Sequence, residues 1–159
     1  MSRVAPFVVG VFVSVALGGY GVLHSPTGRA FFRAPFPPTY VVKIWLTLAV
    51  LALTLVHLCS ARAPFVHRVS GWAAFLLSLP VAVHCVWALG FRWYNGRVLA
   101  HSLLGCAVYG AFAAKVLGVR LRWVPGRVVP LWDGLLFVTV LGAGLTSAVW
   151  YLLSYGLPG

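Results

Sequence analysis

Two histidines carry the first suggestion of chemistry in this chain. His84 lies near the end of one apolar run and His101 near the start of the next, with the polar stretch FRWYNGR between them. If the runs are antiparallel helices folded about residues 92 and 93, both imidazoles sit at one depth. Neutral imidazole ligates haem iron well, so two of them facing each other in an apolar hairpin suit a six-coordinate haem b. Gly105 is one turn inward from His101 and leaves room for a flat macrocycle. Arg92 and Arg97 bracket the turn, where haem propionates would surface and pair with guanidinium forks. The competing role for the two histidines is structural, in hydrogen bonds to each other or to backbone carbonyls.

His57 and His67 form a second matched pair, symmetric about Arg62. A second haem there would lie about 25 Å of helix from the first and complete a wire across a membrane. The commoner fate of such histidines is solvation at an interface. His24 could join His84 and His101 in a three-histidine zinc or copper site, or be a polar loop residue. Asp133, the only acid, is expected to pair with Arg68, Arg127 or Lys115; the alternative is a proton site or quinol contact. Cys59, Cys85 and Cys106 lie inside apolar segments with no CxxC or CxxCH spacing, and read as buried small hydrophobes.

The elements that must position these groups are apolar throughout. Of 159 residues, 62% are hydrophobic and 8% charged, against about 25% charged in a soluble domain. Apolar segments recur, each long enough for a hydrocarbon slab of about 30 Å. Lipid offers no partner to unpaired backbone groups, so the segments are helices. The expected fold is all-α: one domain over 1–159, an integral membrane bundle of five transmembrane helices spanning about 4–23, 40–60, 69–90, 98–118 and 131–155. No small-x-small cleavage site follows the first run, so it reads as a retained span and not a removed signal. Ser14, Gly18 and the Gly19/Gly21 cluster in it suggest close helix contact through small residues, and Pro80 is expected to kink the third span. The loop at 24–39, HSPTGRAFFRAPFPPT, suits a surface-hugging segment. Tryptophans and tyrosines near segment ends, among them Trp93, Trp123, Trp132 and Trp150, read as an interfacial belt.

The net charge of +11 would suggest nucleic acid in a soluble protein. Here the bases cluster at segment ends, facing lipid phosphates, and no nucleic-acid partner is expected. Arg3, Arg62, Arg68, Lys115, Arg120, Arg122 and Arg127 fall on the N-terminal side; Arg29, Arg33, Lys43, Arg92 and Arg97 fall on the other. The positive-inside rule then places the N-terminus in the cytoplasm of a cell with this protein in its inner (plasma) membrane.

The run VHRVSGWAAFLLSLPVAVHCVWALGF followed by RVLAHSLLGCAVYGAFAAK resembles a bacterial multi-span membrane family of unknown function. More distantly it is similar to the haem-bearing helices of cytochrome b and ferric-reductase-like membrane proteins. That distant resemblance implies haem ligation by His67 with Gly71, by His84, and by His101 with Gly105. Segment five has no histidine, a departure from the two-haem pattern.

The reading that joins these observations is an electron-transfer cytochrome. One haem b, or two, would pass electrons from quinol or a redox subunit to an outer acceptor drawn to Arg29, Arg33, Arg92 and Arg97. Two rivals are a cofactor-free accessory subunit of a respiratory membrane complex and a histidine metal-site or transport protein.

Overall fold

The computed structural model describes residues 4–29, 38–120 and 129–158. Of the residues singled out above, Arg3, Arg33, Arg122, Trp123 and Arg127 lie outside them. Five helices account for nearly all the rest: α1 (Ala5–Leu23), α2 (Thr39–Cys59), α3 (Pro64–Leu89), α4 (Gly96–Arg120) and α5 (Pro130–Tyr155). All five are long and apolar enough to cross a membrane, and together they imply a lipid bilayer. Their outward side chains agree: Phe12, Leu76 and Leu153 stand exposed on the bundle surface, where lipid would meet them.

The third helix starts earlier than the sequence pattern suggests. Pro64 opens it, because the first turn of a helix has no use for the N–H that proline lacks. This places His67 and Arg68 inside the helix. At the start of α4, the Asn95 side chain accepts a hydrogen bond from Val98 N–H at 2.9 Å, an N-terminal cap that ends the polar turn. The backbone continues as helix through Pro80, and the irregularity comes later. Residues Cys85–Leu89 wind as a π-turn, and a matching π-turn occupies Leu145–Val149 in α5. Such single wide turns are frequent at functional sites.

The main helix pairings are α1 on α4, α2 on α3 and α4 on α5, with a lesser α2 on α5 contact. Small residues make the first of these close. A methyl group on Gly10 would fall 2.7 Å from the Gly110 carbonyl and 2.9 Å from Ala114 Cβ. Ser14 and Gly18 continue this stripe toward Cys106 on α4, as the small-residue spacing implies. The far end of α1 is stitched to the end of α3 by Phe91 N–H donating to Gly21 O at 2.8 Å and Gly28 N–H to Ala88 O at 3.0 Å. Gly90 turns the chain there at φ +69°, with Pro26 and the Gly21 carbonyl pressed against it. Only glycine adopts that conformation at little cost.

Among the described residues, sequence neighbours α3 and α4, like α1 and α2, do not pack closely. The α3–α4 pair forms no tight hairpin but stands apart, bridged by side chains. Phe75 stacks on Phe112 with centroids 4.0 Å apart, Trp72 meets Phe112 edge-on, and Ser78 and Tyr109 share a hydrogen bond of 2.8 Å.

Candidate functional site: an interhelical cavity with a histidine at each end

The gap between α3 and α4 continues inward as a cavity of about 840 Å³, walled also by α2 and α5. That lies in the upper part of the range of small-molecule pockets, about 300–1,000 Å³. Its walls are largely apolar, and its cationic and imidazole groups collect at two ends. Lys43, Cys85, Arg97 and His101 line one end; His57, Gly71 and Lys115 line the other. From His101 to Lys115 is about 21 Å along α4 at 1.5 Å per residue.

At the first end, His101 is oriented by α5. Its Nδ1 lies 3.1 Å from the Ala143 carbonyl and 3.3 Å from Thr146 Oγ1. A carbonyl only accepts, so Nδ1 carries the proton and Nε2 keeps its lone pair. A histidine locked in this way by its remote nitrogen is the usual state of a metal or haem ligand. Gly105 also lines the cavity, and a methyl group on it would meet nothing within 4 Å, so the space expected beside it is present. Arg92 and Arg97 line the cavity as well. Both have protein partners: Arg92 Nε donates to Leu89 O at 2.8 Å, and Arg97 donates to Thr146 O at 2.7 Å while its guanidinium sits 3.6 Å from the Trp150 ring centroid.

His84 is placed differently from His101. It is buried and its Nδ1 has no hydrogen-bond partner, but its side chain does not line the cavity. Its neighbour Cys85 does, and the Cys85 thiol lies against the His101 ring with Lys43 close by. Successive helical residues point about 100° apart, so one of the pair 84/85 faces the cavity and the other does not. Periodicity alone could have raised Cys85, but sequence reasoning set it aside as a core residue. Lys43, on α2, was visible in sequence only as a basic residue near a segment end.

His24 does not join these groups. It stacks on Tyr20 at 4.9 Å, and the three-histidine set with His84 and His101 is not assembled. Among the described residues the cluster of three potential metal ligands is instead His57, His67 and Asp133.

That cluster occupies the second end. The His57 and His67 rings stack with centroids 3.7 Å apart, 22° from parallel, a contact that leaves no gap for a macrocycle between them. Each Nδ1–H donates to the other residue's backbone carbonyl, at 2.6 and 2.8 Å. Gly71 makes room for this: a Cβ there would lie 2.9 Å from the His57 ring. Asp133 forms its ion pair with Lys115, one of the three partners the sequence allows, and lies 3.6 Å from His57 Nε2. Lys115 Nζ in turn donates to His57 Nε2 at 2.9 Å. Four helices thus meet in one polar knot.

No curated protein and no solved structure matches the chain. A family model does, along residues 3–159. The chain therefore belongs to DUF6529, a family of unknown function, as a member with five helices of membrane-spanning length and apolarity.

Proposed function

We propose that the protein is a membrane b-type cytochrome that carries electrons through a haem b held in the interhelical cavity at its His101 end. The observation that carries this reading is His101 itself: its Nδ1–H is spent on an α5 carbonyl, and the ring borders a roomy apolar cavity. Gly105 leaves that cavity open one turn further in, and Arg92 and Arg97 line it where carboxylates would find cationic partners. His84 would be the second ligand in this reading: it is buried with an unpartnered ring nitrogen, and because Cys85 and not His84 lines the cavity, the helix would have to turn there for His84 to reach the group. The haem would supply one-electron chemistry; the chain supplies the ligands, the dry walls and the charge at the mouth. The donor is quinol or a redox subunit, and the acceptor lies on the side where Arg29, Arg92 and Arg97 cluster, outside the inner membrane when the N-terminus is cytoplasmic.

The test is a reduced-minus-oxidised absorption spectrum of detergent-purified protein made under haem-replete conditions. The expected wild-type spectrum is that of low-spin, six-coordinate haem b. His101→Ala abolishes haem retention, and His84→Ala yields either haem loss or a high-spin spectrum. Haem-free wild-type protein overturns the reading and leaves the rival of an accessory subunit, in which His101 only ties α4 to α5.

A further inference from the structure

We propose that the cavity binds a membrane quinol with its headgroup between Lys115 and Tyr109, and binds it in preference to the oxidised quinone. The choice of ligand class rests on the electron-transfer reading, in which quinol is one of two candidate donors; the hydrogen-bonding pattern of the pocket stands apart from it.

α3 and α4 are joined across their gap by side chains, so a lipid-soluble ligand reaches the cavity sideways between them. Phe75 and Phe112 line the middle of the cavity as a stacked pair with centroids 4.0 Å apart, an apolar aromatic surface for a ring. On α4, Tyr109 and Lys115 stand three residues to either side of Phe112, and all three line the cavity. Their separation along the helix is about 9 Å. A ring lying against the phenylalanine pair therefore has a polar group beyond each edge. His101 is about 12 Å of helix rise beyond Tyr109 on the same wall, so quinol and haem would share one chamber.

The two polar groups offer opposite things. The Lys115 ammonium has three N–H donors. Asp133 takes one and His57 Nε2 another, at 2.9 Å; among the described residues no acceptor takes the third. Ser78 has a single hydroxyl proton, and the Phe75 carbonyl takes it at 2.7 Å. In the 2.8 Å Ser78–Tyr109 bond the phenol is therefore the donor. The Tyr109 oxygen is left with lone pairs and no proton to give. A ligand that answers both groups must accept at one oxygen and donate from the other. A quinol does so, with a hydroxyl on each side of its ring. A quinone only accepts, so it keeps the Lys115 contact and leaves Tyr109 unanswered. An anionic phospholipid headgroup would seek a free cation, and the Lys115 charge is already neutralised by Asp133.

The experiment is displacement of a photoreactive azidoquinone from detergent-purified protein under anaerobic conditions, with labelled peptides identified by mass spectrometry. It is run on protein from haem-replete cells and from haem-depleted cells, where no iron can oxidise the competitor. The labels are expected within residues 71–78 and 109–115. Decylubiquinol should displace the probe at about 2- to 10-fold lower concentration than decylubiquinone, the effect of one neutral hydrogen bond. Tyr109→Phe should abolish that preference and leave the affinity for decylubiquinone within about twofold. Lys115→Met/Asp133→Leu, which strands no charge, should weaken both forms by about tenfold. Size-exclusion profiles report on folding, and Tyr109→Phe, which removes one hydroxyl, carries the test should the double variant not fold. Equal displacement by the two forms in wild type, a preference that Tyr109→Phe leaves intact, or displacement by phosphatidylglycerol as strong as by decylubiquinol overturns the proposal. Quinol-selective binding in haem-free protein upholds this site even where the haem reading fails, and haem-loaded protein that does not bind quinol sinks this inference alone.

Discussion

His57 and His67 stack face to face at 3.7 Å, and each donates its Nδ1–H to the other's backbone carbonyl. This reciprocal pair joins the last turn of α2 to the first turn of α3 across a short connection. His57→Phe preserves the stack but removes one donor to the His67 carbonyl, which keeps Ser70 Oγ as a partner at 3.2 Å. Losing one such hydrogen bond costs about 0.5–1.5 kcal/mol. Thermal unfolding in detergent should show the loss, whereas Arg62→Ala in the exposed connection should leave the midpoint unchanged.

The Lys115–Asp133 pair behaves as a unit. Removing one partner leaves a partly buried charge without compensation. The cost for fully buried pairs is about 3–5 kcal/mol; with side chains 16% and 19% exposed, roughly 2–3 kcal/mol is expected for Asp133→Asn. The double variant Lys115→Met/Asp133→Leu should recover most of that loss. Additive losses in a double-mutant cycle would show that the two do not act together.

Two glycines on α4 should respond oppositely to a methyl group. Gly110 faces Ser14 and the Gly10 backbone at the closest point of α1 on α4, so Gly110→Ala forces the helices apart at about 1–3 kcal/mol. Gly105 faces open cavity, and Gly105→Ala should be neutral or slightly stabilising by helix propensity, about 1 kcal/mol at most. The same substitution intrudes on the volume the haem reading needs. Unchanged stability with reduced haem content is the expected combination.

Ser78 and Tyr109 link α3 to α4 across the cavity with a 2.8 Å hydrogen bond. Tyr109→Phe removes one hydroxyl while Ser78 retains its bond to the Phe75 carbonyl at 2.7 Å. The loss should be small, about 0.5–1.5 kcal/mol. Because α3 and α4 lack close backbone packing here, the readout is accessibility. A cysteine-reactive probe should modify Cys85 faster in Tyr109→Phe than in wild type.

Much of the fold was legible from residue types alone. A helix that crosses lipid must satisfy its own backbone groups and show apolar side chains outward, so composition and segment length dictate the five spans. That α1 makes a close helix contact follows from its small residues Ser14 and Gly18, because small residues are what let backbones approach in a bilayer, although they do not name the partner. Charge told the same kind of story for Asp133: a single acid among bases in lipid has to pair, and Lys115 was among the few within reach.

The pairing of helices and the direction of individual side chains came only with the tertiary structure. Sequence symmetry led to an expectation of equal depth for His84 and His101, but depth is one coordinate and the angle around the helix is another. One residue is about 100° of rotation, enough to put Cys85 at the cavity and turn His84 away from it. Adjacency in sequence suggested a closed α3–α4 hairpin. In the folded bundle α1 takes the close face of α4 through its glycines, α2 takes α3, and the space left between α3 and α4 becomes the cavity. No apolar pattern encodes that choice, because every helix in lipid is apolar on all sides and the partner is selected by shape.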